Sequence, residues 1–159
     1  MRFILFILIG LLFSCKGGGS KTGDMQNDSL QAEEKISPES KLIWITDYDT
    51  LSGEFFLKQQ RTINADSLTA ERVIASINAA WEDIVIVFNK LSNDTLYVSI
   101  PESEFLTQRM GSAGAEGYLA STTYNLTEVK GIKFVNYNFE EGDHLSPGVY
   151  SREDFEKYH

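Results

Sequence analysis

A change in composition near residue 41 sets the size of the fold that this chain can form. Residues 16–40 are mostly Gly, Ser, Asn, Gln and charged side chains, so they cannot bury enough apolar surface to fold. Residues 41–159 are much richer in apolar side chains, and their length of about 120 residues suits one domain with one core. Cys15 is the only cysteine, so packing rather than disulfides must stabilise that core.

The first fifteen residues have the features of an export signal. Arg2 precedes an apolar run over residues 3–13, which is shorter than the roughly 20 residues that a membrane-spanning helix needs. Leu12 and Ser14, which precede Cys15, resemble the lipobox of bacterial lipoproteins, in which the cysteine sulfur receives a diacylglyceryl group before cleavage. The resemblance implies a lipid anchor on Cys15; the alternative is an ordinary signal peptide with a chance cysteine.

A lipidated Cys15 would anchor the protein without a transmembrane helix, because two or more acyl chains hold a protein to a bilayer almost permanently. In the lipoproteins that this signal resembles, an Asp after the cysteine is associated with inner-membrane retention. Lys16 stands there instead, which favours the outer membrane, facing the periplasm. The sequence therefore predicts three parts: a signal peptide (1–14), a lipidated cysteine with a flexible linker (15–40) and a folded domain (41–159).

The charge balance limits the partners of this chain. It contains 23 Asp and Glu residues against 14 Lys and Arg residues, a net charge of −9 at pH 7. Such a charge repels phosphate backbones, which argues against nucleic acid as a partner. The expected partners are the membrane, through Cys15, and an envelope protein or a second copy of the chain.

Hydrophobic patterns predict an α+β fold, a small and mostly antiparallel sheet with two helices packed on one face. Short apolar and β-branched runs between polar segments are typical of strands. Two of these runs flank the polar residues 89–94 and are expected to pair antiparallel as a hairpin. The predicted strands cover residues 42–45, 54–59, 84–88, 95–100 and 132–137.

Two segments have apolar residues at helical spacing. The first begins after an N-cap at Asp66 or Ser67 and has a buried face that includes Val73, Ile74 and Ile77. The second begins at Ser112, which could cap its first turn, and ends at Gly131. Its predicted buried stripe is Ala115, Tyr118, Leu119, Thr122, Leu126 and Val129.

The second helix carries the most distinctive motif of the folded region. Its residues are Gly111, Ser112, Gly114 and Ala115, followed by Leu126, Thr127 and Gly131. Together they resemble the core of the GerMN domain, a module of sporulation and germination lipoproteins and other bacterial envelope proteins. The resemblance covers about residues 42–139 and implies a compact α+β layer, related to modules that assemble envelope complexes, with no known catalytic residues. The sequence predicts no cofactor.

The glycines of this motif have a second interpretation. A Gly-rich turn before a helix could bind a phosphate through free amides, but this one lacks the Lys of a P-loop and lies in an acidic chain. A tight entry into the helix, with small residues for close packing, is the favoured interpretation.

The residues after the last predicted strand are the best candidates for a ligand loop. Glu140, Glu141, Asp143 and His144 could bind a hard cation, although their spacing does not match an EF-hand. A solvated acidic turn is the favoured alternative. His159 is the only other histidine, so a Ser-His-Asp triad or a multi-histidine zinc site is hard to build, and the sequence predicts no catalytic residues and no metal.

Several aromatic residues could form a stacking surface for a glycan, although their strand and helix spacing favours the core. They are Trp44, Tyr48, Trp81, Tyr118 and Tyr124. The sequence as a whole predicts an envelope lipoprotein with a non-catalytic domain that binds protein partners or itself. The alternatives are a peptidoglycan- or glycan-directed binder or hydrolase that uses residues 140–144, and an envelope scaffold with no ligand site.

Overall fold

The structure, a computed structural model, describes residues 42–158. The predicted signal peptide, Cys15 and the linker lie outside the described residues, as do Lys41 and His159. Short 3₁₀ turns occur at Ala65–Ser67 and Arg152–Tyr158, and a π-helical turn occurs at Phe105–Arg109. The longer elements are β1 (Trp44–Asp49), β2 (Glu54–Gln59), α1 (Ala70–Ala80), β3 (Val87–Ser92), β4 (Thr95–Ser99), α2 (Gly111–Leu126), β5 (Phe134–Asn138) and β6 (Gly148–Tyr150).

The described strands form two sheets. β1 and β2 pair antiparallel, and the other strands follow the order β3-β4-β5-β6. Within this larger sheet β4 and β5 are parallel, because α2 lies between them in the chain and returns it to the same end of the sheet. The remaining pairs are antiparallel. The predicted α+β class with mostly antiparallel pairing is confirmed, whereas the division into two sheets was not predicted.

Helix α2 lies between the β1–β2 hairpin and the larger sheet. On the hairpin side, Thr46 Oγ1 donates to Gly117 O at 2.7 Å. On the other side, the hydroxyls of Thr122 and Thr123 each lie 3.1 Å from the Tyr137 hydroxyl of β5. The predicted buried stripe is confirmed, but the opposite side of the helix is buried as well, because both sides meet a sheet.

The helices begin and end at different residues from those predicted. Thr69, not Asp66 or Ser67, caps α1: its Oγ1 accepts from Arg72 N at 3.3 Å, while the two predicted residues lie in a separate 3₁₀ turn. Helix α2 ends at Leu126 rather than at Gly131. The apolar face of α1 is buried as predicted.

Strand β2 has its predicted bounds, whereas β3 begins three residues later than predicted, at Val87. The shift has a local cause in the side chain of Asn78 on α1. Its Oδ1 accepts from Ile86 N at 2.8 Å, and its Nδ2 donates to Ile86 O at 2.9 Å. Both backbone groups of Ile86 are therefore occupied by a helix side chain, and strand pairing starts after them.

Candidate functional site

The four-stranded sheet has one buried face and one face open to solvent. Side chains alternate along β4 and β5: Leu96 and Val98 are buried, as are Val135 and Tyr137, while the residues between them are exposed or half-buried. The pairing register aligns the residues of the open face in three rows across the strands. The rows are Val87–Ser99–Asn138, Lys90–Tyr97–Asn136–Val149 and Ser92–Thr95–Phe134.

This open face carries little charge for a chain so rich in acidic residues. Strands β3 to β6 contain no Asp or Glu, and their only charged residue is Lys90. The Lys90 ammonium lies 4.6 Å from the centre of the Tyr97 ring. Large apolar side chains stay exposed on the same face: Val87 (41%), Phe134 (38%) and Val149 (54%).

Strand β3 forms an edge of this sheet, and all six of its residues are exposed. Phe88 and Leu91 belong to the buried face by register, yet they remain exposed because the described chain places no strand beyond β3. A bulge between Phe88 and Lys90 interrupts the pairing with β4. A bulge and a lysine are both features that hinder pairing with another strand, so the face of this sheet is a better candidate for binding than its edge.

The structure brings together the two segments that the sequence singled out separately. Ser112, in the first turn of α2, lies with its Oγ 3.2 Å from Nδ1 of His144, in the loop after β5. The predicted cap at Ser112 is wrong, because Met110 is at the N-cap position of α2 and Ser112 is already the second residue of the helix. Beside the pair is an open hollow of about 500 Å³, which Asp143, Glu116 and Tyr150 also line.

Packing against the π-helical turn holds the loop of His144 in place. His144 N donates to Thr107 O at 3.1 Å, and Ser103 Oγ donates to Glu140 O at 3.2 Å. A Cβ atom at Gly142 would lie 2.8 Å from Thr107 O and 2.7 Å from Thr107 Cβ, closer than real contacts allow. Gly142 therefore permits the approach that brings His144 to Ser112.

Negative charge surrounds the hollow. Burial raises the pKa of Tyr150, and the nearby carboxylates of Asp154 and Glu116 raise it further. Burial and Glu116 together raise the pKa of Tyr158 to about 12. Lys157 forms an ion pair with Glu116 at 2.5 Å, which neutralises part of this charge. The hollow is therefore better suited to neutral or cationic groups than to anions.

The four residues of the predicted ligand loop are divided between two recesses. Asp143 and His144 line the hollow, whereas Glu140 and Glu141 line another recess. Glu141 also accepts a hydrogen bond from Ser146. Among residues 42–158, no group of three or more His, Cys, Asp or Glu side chains is arranged to hold a metal ion.

The other motif residues of α2 have packing positions. Ala115 and Leu126 are fully buried, and a Cβ atom at Gly114 would lie 3.2 Å from Met110 Cβ. Gly131 has a φ of +90°, which favours glycine in the turn before β5.

The aromatic residues considered for glycan stacking do not form one surface. Tyr118 and Tyr124 are buried, and the half-buried Trp81 packs edge-on against Tyr118. Tyr48 is exposed and contacts Phe55 on the hairpin.

Arg152 is a residue whose importance the sequence did not reveal. Its guanidinium donates to Glu128 Oε1 at 2.6 Å and to Thr127 Oγ1 at 2.8 Å, and it lies 4.8 Å from the centre of the Tyr124 ring. Burial alone would raise the pKa of Glu128, but hydrogen bonds from Arg152 and Trp44 outweigh it and lower that pKa. These contacts stabilise the packing of the C-terminal 3₁₀ segment on the end of α2.

Comparisons with protein-family models, curated proteins and solved structures found no match to this chain. Within residues 42–158, no helix combines the length and the apolar character needed to cross a membrane.

Proposed function

We propose that this chain is a lipid-anchored protein of the bacterial cell envelope, and that its GerMN-like domain binds an envelope protein or a second copy of itself. The open face of the four-stranded sheet is the observation that supports the binding part of this proposal. The lipobox-like residues before Cys15 support the anchor, and Lys16 favours the outer membrane.

The open face shares two features with interface cores, low charge and aromatic side chains. Such cores are depleted in charged residues and enriched in aromatic ones. Here Tyr97 and Phe134 lie on a face whose strands have no carboxylate, although the chain has a net charge of −9. The exposed side chains of Val87, Phe134 and Val149 on this one face favour a docking surface over a face adapted only to water.

A pair of valines allows a matched test of this face. Val149 is 54% exposed on β6 in the centre row, and Val85 is 50% exposed before β3 and outside the sheet register. A photo-crosslinking residue placed at Asn136 should capture a partner in cells. Val149→Asp should reduce capture at least about tenfold, corresponding to ~1.4 kcal/mol of binding free energy, whereas Val85→Asp should leave it unchanged.

The mass of the captured species separates the two kinds of partner. A product of twice the chain mass identifies self-association, and any other defined mass identifies a different protein. Capture that survives Val149→Asp, or that Val85→Asp reduces equally, would contradict binding through this face.

The anchor has its own test, because it depends on Cys15 alone. Cys15→Ser should leave the protein unprocessed or move it from the membrane fraction to a soluble fraction. Detection of an unmodified Cys15 thiol on the mature protein by mass spectrometry would rule out the lipid anchor.

A further inference from the structure

We propose that Ser112 and His144 form a nucleophile–base pair that hydrolyses small carboxylic esters in the hollow beside α2. Ser112 Oγ and His144 Nδ1 lie 3.2 Å apart, at the outer limit of the distance expected of such a pair. When the neutral imidazole carries its proton on Nε2, Nδ1 accepts the hydroxyl hydrogen bond and can take that proton. Ser112 is exposed at the rim of the hollow, so a substrate can reach it.

The backbone geometry around both residues fixes the pair. Gly111 precedes Ser112 with a φ of +72°, a conformation that favours glycine and ends the preceding π-helical turn. On the other side, Thr107 O accepts from His144 N, and the absence of a side chain at Gly142 permits this approach. π-helical turns of this kind are frequent at functional sites.

Ser112 also lies beside donors for a developing negative charge. It is the second residue of a 16-residue helix, and the first amides of a helix have no acceptors within it. These N–H groups, at the positive end of the helix dipole, adjoin the Ser112 hydroxyl in the chain. Amides in such a position can stabilise the oxyanion that forms when a carbonyl is attacked.

The reaction follows from these groups. Ser112 Oγ forms a bond to the carbonyl carbon of the ester while its proton passes to His144 Nδ1. The carbon–oxygen bond to the alcohol then breaks, and the alcohol leaves with the proton from Nδ1. A water molecule adds to the acyl-serine, the bond to Oγ breaks, and the carboxylic acid departs while Ser112 regains its hydrogen.

Two features define the substrate class. The carboxylates of Glu116, Asp143 and Asp154 around the hollow disfavour anionic esters and favour neutral or cationic ones. The His144 loop is held through its backbone, and the described structure places no carboxylate in hydrogen-bond contact with the ring. Because no carboxylate orients the imidazole in the described structure, we expect turnover of activated esters rather than of amides.

Covalent labelling tests the pair directly. The full chain, purified in detergent, is treated with a neutral fluorophosphonate, and the modified residue is found by peptide mass spectrometry. Ser112 should carry the adduct. Ser112→Ala should abolish labelling, and His144→Gln should slow it at least about 100-fold, the lower end of what a general base contributes.

Ser52→Ala is the matched control, because Ser52 is also an exposed serine but bonds to Asp49 in the turn between β1 and β2, outside the hollow. Its labelling and its hydrolysis of p-nitrophenyl acetate should equal those of the unaltered chain, and circular dichroism should show that all three variants are folded.

Labelling of the unaltered chain tests the proposal even if one of the variants fails to fold. A chain that carries no adduct on Ser112, or whose labelling rate is unchanged by His144→Gln, would overturn the proposal and leave the contact as a link between the loop and α2. The Ser112–His144 site and the open sheet face consist of different residues. A negative labelling result would therefore leave the binding proposal unaffected.

Discussion

The side chain of Asn125 on α2 binds the backbone of Trp44 at the start of β1. Asn125 Nδ2 donates to Trp44 O at 2.6 Å, and Oδ1 accepts from Trp44 N at 3.2 Å and from Ile43 N at 2.8 Å. Asn125 is only 1% exposed, so these bonds are formed away from water. One amide thus links the hairpin to the central helix.

Asn125→Ala should therefore be strongly destabilising. It would leave the buried N–H of Ile43 without its Asn125 acceptor, at a cost of about 1 to 3 kcal/mol, and it would also remove two hydrogen bonds to the backbone of Trp44, whose carbonyl keeps its bond from Ser121. Urea unfolding should show a loss of at least about 2 kcal/mol. The exposed Asn138 offers a control: Asn138→Ala should change the free energy of unfolding by less than about 0.5 kcal/mol. Equal effects of the two substitutions would argue against this role of Asn125.

Two glycines in the same part of the chain should respond differently to an added methyl group. A Cβ atom at Gly142 would lie 2.8 Å from the backbone oxygen of Thr107, whereas at Gly148 its nearest neighbour would be 3.6 Å away. Gly142→Ala should cost about 1 to 3 kcal/mol of unfolding free energy, since a rigid backbone atom would have to move. Gly148→Ala should be nearly neutral by the same thermal or urea measurement. A neutral Gly142→Ala would mean that the loop packs less tightly than described.

Two buried tyrosines should show opposite responses to loss of the hydroxyl. The Tyr137 hydroxyl lies within hydrogen-bond distance of Thr122 and Thr123, whereas the buried Tyr118 hydroxyl has no hydrogen-bond partner in the described structure. Tyr137→Phe should cost about 1 kcal/mol or more, because it removes the partner of the buried Thr123 hydroxyl, whereas the Thr122 hydroxyl keeps its bonds to Tyr118 O and Leu119 O.

Tyr118→Phe removes a buried hydroxyl that lacks compensation, so it should be neutral or stabilising. Both variants keep the ring, and differential scanning calorimetry measures each. A clear drop in the melting temperature of Tyr118→Phe would show that its hydroxyl has a partner, such as a buried water.

The contact between Arg152 and Glu128 predicts a pH dependence of stability. The folded pKa of Glu128 is lowered from its ordinary value of 4.5, so the pair stabilises the fold above pH 4.5. This contribution is lost as the pH falls below 4.5 towards the folded pKa. Glu128→Gln should reduce the slope of unfolding free energy against pH in that window, and an unchanged slope would contradict the prediction.

Arg152→Ala should lower stability at pH 7, because it removes hydrogen bonds to a partly buried carboxylate. Lys130→Ala breaks the exposed pair with Asp66, in which both side chains are more than 70% exposed, and should change stability by less than about 1 kcal/mol. Urea unfolding of the two variants gives the comparison. Similar losses would place the Arg152 contact among ordinary surface ion pairs.

Local patterns predicted those elements whose formation depends on neighbours in sequence. The six residues Glu54–Gln59 form β2 as expected, and Val73, Ile74 and Ile77 form the buried face of α1, because strand alternation and helical periodicity are properties of the segment itself. Asn93 adopts a φ of 54° in the tight turn between β3 and β4. Because this turn is short, β3 extends over residues 89–92, which were predicted to belong to the polar loop.

Contacts across the chain explain the remaining differences. Asn78 occupies the backbone of Ile86 and delays β3, and Ser112 contacts His144 instead of capping its own helix. Neither partner can be identified from spacing, since a hydrogen bond between distant residues leaves no periodic signal. The sequence therefore pointed to two separate segments, the motif that begins at Gly111 and the loop at residues 140–144. It did not indicate that they meet at one hollow.

The sequence by itself determined the composition break at residue 41, the acidic charge, the α+β class and the lipobox-like residues at Cys15, because these depend on residue types and their local order. The tertiary structure alone decided that α2 is buried between two sheets, that the face of the larger sheet stays open, and that Ser112 meets His144. The physical reason is that burial and long-range hydrogen bonds depend on which surfaces pack together. That choice depends on the free energy of the whole folded chain rather than on any single segment.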